Sequence, residues 1–482
     1  MTVLEPHPDR LFPADPTERA IARRLYAGVA DAPIYSPHGH VPAELLLNDT
    51  PFPDPAALLI TPDHYVTRLL HSSGVSMREL GYGERNVPAA VDGRHVWRAF
   101  CARWDLFLGT PVRYWFESEL HDVFGLTTQP SASNADELYD QLSETLAGDD
   151  FRPRALFDRF RISVLATTDD PADDLAAHFA LRADPTFHGR VLPTFRADRY
   201  MDPSAPAWPA HLAELAAAAD IDCGSYLGLL DALRSRRAHF IAAGATATDT
   251  GVRDAGCEPL EAAEAERLHA AGLDGSITAE EAVAYRRNML YRLAEMSSED
   301  GLVMQLHPGV IRNHHTPTFE AYGPDTGHDL PAVGAFTEPL APILRAFGTD
   351  PTFRIVLFTV DESVFSREIA PLAGFYPSVY VGAPWWFLDS PAGITRFRAA
   401  VTDSAGFTKT SGFIDDTRAF CSIPARHDMS RRVDAAFLAS LVATHQLSED
   451  DALGIAQRLV ADIPIGTFRL DGERGIDAAS AA

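Results

Sequence analysis

The chain has 482 residues, 46% of them hydrophobic and 22% charged, which is typical of a globular protein that can form a large core. Its 67 Asp and Glu residues outnumber its 41 Lys and Arg residues, and the formal net charge of −26 argues against a nucleic acid or an anionic membrane as partner. The four cysteines are far apart, the first residues lack the apolar stretch of a signal peptide, and no segment has the ~18 apolar residues that span a bilayer. We therefore expect a cytoplasmic protein without a disulfide framework.

Eight short runs of apolar or β-branched residues, most of them followed by helical sequence, are typical of buried parallel strands. They cover residues 32–38, 161–170, 190–198, 240–249, 302–309, 353–361, 378–386 and 410–418. Eight strands that alternate with helices predict an α/β fold, the (β/α)8 TIM barrel, in which the active site lies at the C-terminal ends of the strands.

A long stretch of helical sequence separates the first predicted strand from the second, and it exceeds an ordinary connection between a strand and a helix. We predict that it forms an inserted helical subdomain. The predicted divisions are residues 1–41 for the N-terminal segment and first strand, 42–158 for the insertion, 159–470 for the rest of the barrel and 471–482 for a flexible polar tail.

One helix of the insertion has boundary signals in the stretch ITPDHYVTRLLHSSG. Thr61 is the predicted N-cap, Pro62 occupies the first helical position and Gly74 ends the helix. Shorter helical expansions follow the third and fourth predicted strands.

The predicted strands end in side chains that can titrate, bind a metal or form hydrogen bonds. These are His38, His40, Asp169, Asp170, Arg196, Asp198, Asp249, His307, Trp385, Trp386, Asp416 and Arg418. Because the C-terminal ends of barrel strands surround one site, we expect these side chains to lie close together.

His38 and His40 are candidate metal ligands. Alternate side chains of an extended strand share a face, so both imidazoles point into the barrel mouth. Neutral imidazole binds Zn²⁺ or a similar divalent ion, and a carboxylate from another strand would complete an open, catalytic type of site. Asp416 is the candidate third ligand, because the last strand of a barrel lies beside the first. An isolated pair of histidines at this spacing also occurs as ordinary polar or packed side chains.

Two further strand ends each allow two interpretations. His307 follows the apolar run LVMQL and is either a metal ligand or acid, or a core histidine that is hydrogen-bonded to the backbone. Arg196 offers a planar fork for a substrate carboxylate, or it forms a structural ion pair with Asp198 or Asp170.

The stretch APWWFLD contains two adjacent indoles. We expect one of Trp385 and Trp386 to pack in the core and the other to face the mouth, where an indole can cover a sugar ring or donate its N–H. Neither residue identifies a substrate by itself.

Together these motifs resemble the uronate (glucuronate) isomerase family of the amidohydrolase superfamily. The resemblance is carried, in the family's order, by ITPDHYVTRLLHSSGV, GTPVRYWFESELHDVFG, TTDDPADDLAAH, VLPTFRADR, MQLHPGVIRNHHTPTF, GPDTGHD, PWWFLD and GFIDDTRAF followed by PARHDMSRR. It implies an amidohydrolase-type barrel that converts a hexuronate aldose, such as D-glucuronate or D-galacturonate, into its ketose. Related hydrolases use a fourth-strand lysine to bridge two metals; this chain lacks it, so we expect at most one divalent ion, zinc.

The resemblance assigns site residues one by one. The family's first-strand histidines fall on His38 and His40, its helix tyrosine on Tyr65, its third-strand arginine on Arg196, and its last-strand aspartate and arginine on Asp416 and Arg418. His307 and Arg312 match the fifth-strand stretch and the arginine that follows it.

Aldose-ketose isomerisation moves a proton between adjacent carbons through an enediol, so it needs a base near C1 and C2 and stabilisation of the enediolate. We expect Asp416, with Tyr65 nearby, to transfer the protons while Arg418 and the metal stabilise the oxyanion. Arg196, with Arg312, would hold the C6 carboxylate. The remaining predicted site residues are His307, in the catalytic set, and Trp385 and Trp386, in the substrate-binding set.

Two positions depart from the family pattern. Ser36 stands two residues before His38, where the family usually has an acidic residue, and we expect this change to alter the surroundings of the metal. Thr250 stands where the family tends to have a histidine on the fourth strand, near the expected mouth, so the preferred uronate stays open.

Two alternative functions stay open on the sequence. One is a metal-dependent hydrolase or decarboxylase that uses His38, His40 and Asp416 around a metal-activated water. The arginines at 196, 312 and 418 disfavour it, because a hydrolase of neutral substrates has little use for them. The other is a family member that binds sugar acids without turnover. The expected partners are a small hexuronate and further copies of the same chain.

Overall fold

The structure is a computed structural model of the chain, and it describes residues 2–85 and 91–471. The strands are β1 (Ile34–Ser36), β2 (Ile162–Ala166), β3 (Arg190–Leu192), β4 (Phe195–Arg196), β5 (Ala247–Val252), β6 (Val303–Pro308), β7 (Val310–Ile311), β8 (Leu330–Pro331), β9 (Ile355–Leu357) and β10 (Val379–Val381).

The α-helices are α1 (Pro16–Ala27), α2 (Ala43–Asn48), α3 (Pro55–Leu59), α4 (His64–Ser72), α5 (Gly93–Cys101), α6 (Pro111–Ser118), α7 (Ala135–Leu146), α8 (Pro153–Arg159), α9 (Ala176–Ala183), α10 (Trp208–Ala219), α11 (Tyr226–Ala243), α12 (Ala262–Asp274), α13 (Ala279–Asp300), α14 (Thr316–Tyr322), α15 (Ala341–Phe347), α16 (Ala370–Phe375), α17 (Pro391–Ala405), α18 (Ile423–Ala443), α19 (Glu449–Val460) and α20 (Asp462–Thr467). Short 3₁₀ turns cover Trp104–Phe107, Asp149–Phe151, Asp198–Tyr200, Trp386–Leu388, Phe407–Lys409 and Phe420–Ser422. Two π-helical turns cover Glu119–Val123 and Phe365–Ile369.

The main strands are parallel and lie side by side in chain order. One sheet has the order β1-β2-β3 and the other the order β4-β5-β6-β9-β10, while β7 and β8 form a separate antiparallel pair. The third predicted strand is split into β3, which pairs with β2, and β4, which pairs with β5. A bridge between Asp169 and Phe195 continues the pairing across this split. The predicted α/β barrel fold is confirmed.

The eighth predicted strand, residues 410–418, is not a regular strand. A single bridge at its start joins it to β10, and the His40 N–H donates a hydrogen bond to the Thr417 carbonyl oxygen at 3.0 Å. The prediction of a regular strand here is wrong, because Gly412 and Asp416 have left-handed φ angles of +73° and +40° that interrupt extended pairing. The segment nevertheless lies between the last strand and the first.

The predicted fourth strand, residues 240–249, begins too early. Residues 240–243 form the last turn of α11, and the helix ends at Gly244 with a φ of +108°. Glycine adopts this conformation without the steric cost of a Cβ, so the helix stops there and β5 starts only at Ala247. The other predicted strands overlap the observed ones and extend beyond them.

Side-chain alternation along the strands separates an interior core from an outer one. Val303 of β6 packs with Val356 of β9 in the interior cluster, whereas Met304 and Leu306 belong to the cluster that faces the surrounding helices. His307 follows this alternation and therefore lies on the interior face, at the C-terminal end of β6.

Helices α2 to α8 lie between β1 and β2, and their apolar side chains share one cluster with Ile34 and Leu165 of the barrel. Among the described residues, no helix combines the length and the apolar character needed to cross a bilayer. The division of the chain into subdomains stays a prediction, and residues 472–482 of the predicted tail lie outside the described residues.

Helix α4 begins later than the sequence signals predict. Its N-cap is Asp63, whose Oδ1 accepts a hydrogen bond from the Tyr65 N–H at 2.8 Å, so the prediction of Thr61 as N-cap is wrong. A carboxylate satisfies the free N–H groups of a first helical turn better than a hydroxyl two residues further from it. The cap brings Tyr65 to the first turn of α4, close to the barrel.

Candidate active site

A cavity of about 720 Å³ opens at the C-terminal ends of the barrel strands. It is lined by all ten predicted site residues: His38, His40, Tyr65, Arg196, His307, Arg312, Trp385, Trp386, Asp416 and Arg418. This volume lies within the range of ordinary small-molecule sites and accommodates a sugar acid. The barrel thus brings together side chains that are hundreds of residues apart in the chain.

His38, His40 and Asp416 form a group that could hold a metal ion. The Nε2 atoms of His38 and His40 lie 3.3 and 3.1 Å from the same Oδ1 atom of Asp416. That buried oxygen nevertheless makes no hydrogen bond with any described residue. Ligand atoms bound about 2.0–2.1 Å from a tetrahedral zinc ion are spaced about 3.3 Å apart. The donor set and its spacing therefore fit a divalent ion.

The pKa shifts within this group show which member carries a negative charge. Burial raises the pKa of Asp416, but the two imidazoles more than offset this and hold it well below its usual range. Burial lowers the pKa of His40. Burial also lowers the pKa of His38, but the carboxylates of Asp416 and Asp249 outweigh it and raise that pKa overall. Asp416 is thus a carboxylate at neutral pH, as a ligand or a base must be.

His307 is bound to a carboxylate and not to the backbone. Its Nδ1 lies 2.7 Å from Asp249 Oδ1, so the core-histidine interpretation is wrong in its proposed partner. Its ring stacks on Phe358, with centroids 4.1 Å apart, and its buried Nε2 has no partner in the described part of the chain. Burial lowers the pKa of His307, which keeps the ring neutral. His307, Asp249 and His38 form a second group with metal-ligand spacing.

Arg196 forms the structural ion pair that the sequence left as an alternative. Its Nε lies 2.8 Å from Asp198 Oδ2, and its Nη1 lies 3.1 Å from Asp249 Oδ2. Asp170, the other predicted partner, pairs with Arg199 instead. Burial lowers the pKa of Arg196, but both carboxylates together raise it overall, so the guanidinium is held in place and charged.

Both indoles of the APWWFLD stretch line the cavity, whereas the sequence predicts that one of them packs away from it. The Trp385 ring meets the His307 ring edge-on, with centroids 4.7 Å apart. Trp386 has a φ of +53°, a strained conformation that costs a bulky residue about 1–3 kcal/mol. Its buried Nε1 has no acceptor among the residues described.

The outer part of the cavity is formed by a flap between β7 and β8, residues 312–329. Arg312 Nη1 pairs with Asp329 Oδ2 at 2.7 Å, within the flap. Arg418 Nη2 pairs with Asp325 Oδ2 at 3.2 Å and so joins the flap to the barrel. The guanidinium groups of Arg312 and Arg418, 40% and 36% exposed, are far more accessible than the His38 ring at 2%.

Tyr65 and His64 reach the cavity from the helical insertion. The His64 ring stacks on the Tyr65 ring, with centroids 5.3 Å apart, and lies 5.2 Å from the Trp386 ring. Burial raises the pKa of Tyr65 well above its usual value and lowers that of His64 to about 4. At neutral pH the phenol therefore carries its proton and the imidazole is uncharged.

Carboxylates outnumber guanidinium groups along the cavity wall. The seven aspartates are Asp63, Asp198, Asp202, Asp249, Asp325, Asp329 and Asp416, and the five arginines are Arg196, Arg199, Arg312, Arg418 and Arg426. A divalent cation bound at the histidine pair would offset this excess, so the charge balance is a second observation that fits a metal.

A family model described as glucuronate isomerase matches residues 16–466 of the chain. The chain is also 51% identical over 467 residues to the uronate isomerase of Corynebacterium efficiens, with 96% of this chain and 98% of that protein covered. The chain belongs to the glucuronate isomerase family. It is therefore an isomerase, and the resemblance stated from its motifs is confirmed.

Solved structures of glucuronate and uronate isomerases have the same fold. The crystal structure of glucuronate isomerase from Caulobacter crescentus matches with a TM-score of 0.95 at 44% identity, covering 98% of both chains. That of uronate isomerase from Thermotoga maritima matches with a TM-score of 0.90 at 26% identity, covering 96% of this chain and 99% of that one.

The two departures from the glucuronate isomerase pattern differ in their surroundings. Ser36 is buried beneath the histidine pair, and its Oγ has no hydrogen-bond partner among the residues of the described ranges. Thr250 is buried in β5, but alternation places it on the opposite face from Asp249, and it does not line the cavity. The expectation that Thr250 falls at the mouth is therefore wrong.

Sequence reasoning assigned no role to several residues that the structure places in the site. Asp249 was recognisable as a strand end, and Asp325 lies in the GPDTGHD stretch. Arg426 lies in PARHDMSRR, where nothing distinguishes it from neighbouring arginines. Their partners, Arg196, Arg418 and Asp63, come from distant parts of the chain, so only the fold shows which charges these residues pair with.

Proposed function

We propose that this isomerase interconverts a hexuronate aldose and its ketose, D-glucuronate with D-fructuronate or D-galacturonate with D-tagaturonate, through an enediol. The observation that carries the proposal is that one cavity joins a metal-ligand group to three guanidinium groups, at positions 196, 312 and 418. The first set suits proton transfer next to a hydroxyl and a carbonyl, and the second suits a substrate that carries a carboxylate.

The carboxylate of the substrate binds between Arg196 and Arg312 in this proposal. A Cβ added to Gly251 would lie 2.8 Å from Arg196 Nη2, 3.1 Å from Asp198 Oδ2 and 3.5 Å from Arg312 Nη2, so both guanidinium groups approach this glycine, beside the carboxylate that pairs with Arg196. The ion pairs of Arg196 use its Nε and Nη1. Its Nη2 is therefore available to a substrate carboxylate, which can bridge both guanidinium groups.

Proton transfer is assigned to Asp416 and Tyr65. The low pKa of Asp416 makes it a carboxylate that can accept a proton, and the raised pKa of Tyr65 makes it a phenol that can donate one. A divalent ion, which we propose to be a single zinc ion, would be held by His38, His40 and Asp416 and would stabilise negative charge on the enediolate oxygens. Arg418 supports the same charge from the flap side.

His307 and the two indoles orient the sugar. Because the Nδ1 atom of His307 faces Asp249, its Nε2 is the nitrogen that can accept a hydrogen bond from a substrate hydroxyl. Trp386 offers its unpaired Nε1–H to a sugar oxygen, and Trp385 packs edge-on against the His307 ring and restricts its orientation.

The test is turnover of a panel of hexuronates by the metal-loaded protein, with ketose formation followed by NMR and ester and amide cleavage measured on the same preparation. We expect a ketose from D-glucuronate, D-galacturonate or both, and no hydrolysis. The Asp416→Asn variant is the control for contaminating activity. Ester or amide cleavage without any ketose would refute the proposal, and so would binding of hexuronates without turnover.

The oligomeric state and the cellular location are proposed from the sequence alone. We propose that the enzyme forms homo-oligomers in the cytoplasm, in keeping with a small-molecule substrate and with the sequence features described above. Size-exclusion chromatography with light scattering tests the first statement, and a monomer at all concentrations would refute it.

A further inference from the structure

Arg426 lies at the start of α18, and its guanidinium is 1% exposed. It lies between three segments of the chain. Its Nη2 is 3.3 Å from Asp63 Oδ2, and its Nη1 is 3.3 Å from Asp389 Oδ2. The Nη1 also donates a hydrogen bond to the carbonyl oxygen of Asp415 at 3.2 Å. One side chain thus connects α4, the turn after the two indoles and the segment 410–418.

Apart from Ser422, whose Oγ accepts a hydrogen bond from Arg426 Nε at 3.1 Å, each partner of Arg426 is directly linked to a predicted site residue. Asp63 accepts the hydrogen bond from the Tyr65 N–H at the start of α4. The Asp389 N–H donates to the carbonyl oxygen of Trp386 at 3.0 Å. The third partner is the carbonyl group immediately before Asp416, the proposed ligand and base. A shift of the guanidinium would therefore move all three site residues together.

The guanidinium also fixes a side chain of the site directly. Its central carbon lies 3.8 Å from the ring centroid of Trp115 and 4.9 Å from that of Tyr65. The two rings are perpendicular, with centroids 5.4 Å apart. A planar cation packed against two aromatic rings restricts the orientation of both, and an ammonium group does not reproduce this geometry.

The free energy cost of burying the charge of Arg426 is offset only while all of its contacts are kept. Burial raises the pKa of Asp389 to about 7, even though Arg426 lowers it, and burial raises the pKa of the neighbouring Glu119 well above its usual value. Buried charges are retained only when their partners are in place. A lysine at this position would keep the charge but could not satisfy Asp63, Asp389 and the carbonyl group at once.

We propose that Arg426 is a positioning residue for the reaction, which holds Tyr65, Trp386 and Asp416 in their relative positions without touching the reacting carbons. The inference rests on the proposed function, since it presupposes that Tyr65 and Asp416 transfer the protons. It predicts an effect on kcat that exceeds any effect on substrate binding, because displaced catalytic groups slow the chemical step while the arginines that bind the carboxylate are untouched.

The test compares Arg426→Lys with Arg398→Lys. Arg398, on α17, is also a buried arginine. It pairs with Asp434 of α18, the helix that carries Arg426, at 2.6 and 2.8 Å, and it does not line the cavity. We expect Arg426→Lys to lower kcat by about 10²-fold with KM within about 3-fold, the effect of a roughly 1 Å displacement of catalytic groups. Rates are compared at full metal loading, and the fall in Tm should match that of Arg398→Lys, whose kcat stays near that of the wild type.

A kcat of Arg426→Lys within 3-fold of the wild type would overturn the inference, and so would an equal loss of kcat in Arg398→Lys. Where Arg426→Lys does not fold, Asp63→Asn gives the answer, because asparagine still caps α4 while it removes the charge that faces Arg426. A fall in kcat of about tenfold or more in Asp63→Asn supports the inference, because misplaced catalytic groups slow the chemical step. An unchanged kcat overturns it. Wild-type turnover in the same assay separates the two ideas: its absence refutes the proposed function, whereas normal wild-type turnover with an unaffected variant refutes only the role of Arg426.

Discussion

The inner wall and the outer rim of the cavity hold their charges in different ways. On the inner wall, His38, His40 and Asp416 are fixed by the barrel, and the His38 ring is almost wholly buried. On the rim, Arg418 meets Asp325 of the flap in an ion pair whose side chains are both partly exposed. Electrostatic interactions are strong where water is excluded and weak where it is not. Substitutions of the buried groups on the inner wall should therefore abolish activity, whereas loss of the Asp325 carboxylate on the rim should only adjust it.

The largest effect is expected for Asp416→Asn, on the inner wall. The amide cannot accept the proton in the isomerisation and is a weaker metal ligand, so kcat should fall by about 10³-fold or more. The measurement is ketose formation at saturating hexuronate, with circular dichroism to confirm the fold. Retention of more than a tenth of wild-type turnover would show that the base lies elsewhere.

Next in size is the loss of bound metal in His38→Ala. Removing this buried ligand should weaken metal binding by about 10²-fold or more, because loss of a residue that only supports a ligand already costs about 10- to 100-fold. Metal content measured by mass spectrometry after dialysis should be low, and activity should fall with it. The matched control is His64→Ala, which removes another cavity-lining imidazole outside the metal group and should keep the metal. Equal metal content in both variants would contradict the assignment.

A smaller effect on the kinetics is expected for Gly251→Ala, at a position between the inner wall and the outer rim. The added methyl group would approach Arg196 Nη2 to 2.8 Å and fill the space proposed for the substrate carboxylate. We expect KM to rise by about tenfold, equivalent to about 1.4 kcal/mol, with kcat little changed. Gly454→Ala is the control, because a Cβ there meets nothing within 4 Å. An unchanged KM in Gly251→Ala would place the carboxylate elsewhere.

The smallest effect is expected on the rim, for Asp325→Asn. Arg418 and Asp325 are 36% and 43% exposed, so their ion pair contributes at most about 1 kcal/mol to stability. The free energy of unfolding should change by less than that, kcat/KM should stay within about 3-fold, and the difference from the wild type should shrink in high salt. A loss of activity as large as that of Asp416→Asn would remove the distinction between wall and rim.

The same contrast explains how much the sequence predicts. The inner wall could be anticipated because its residues follow strand-like runs: alternation places His307 on the interior face, and His38 and His40 follow β1 at the same two-residue spacing. The strands themselves were predicted in order but not in extent. Helix caps such as Gly244 override the β propensity of a neighbouring run, and the left-handed residue Asp416 breaks the last strand.

The partners of the site residues could not be predicted from the sequence. Asp325 meets Arg418 only because a flap folds back over the mouth, and Asp63 meets Arg426 across 363 residues of chain. Such pairs leave no local periodicity or motif, since each member is an ordinary charged residue in its own segment. The expectation for Thr250 is wrong for a related reason. Successive residues of a strand face opposite sides of the sheet, so the side that Thr250 faces depends on the register of β5.

The most direct test of the account is isomerisation in D₂O. The metal-loaded protein is incubated with D-glucuronate and with D-galacturonate, and NMR follows both the ketose and the deuterium at its C1 carbon. The account predicts a ketose that carries solvent deuterium at C1, because Asp416 and Tyr65 exchange protons with water between abstraction and delivery. A ketose formed without any deuterium, or no ketose from either substrate, would contradict it.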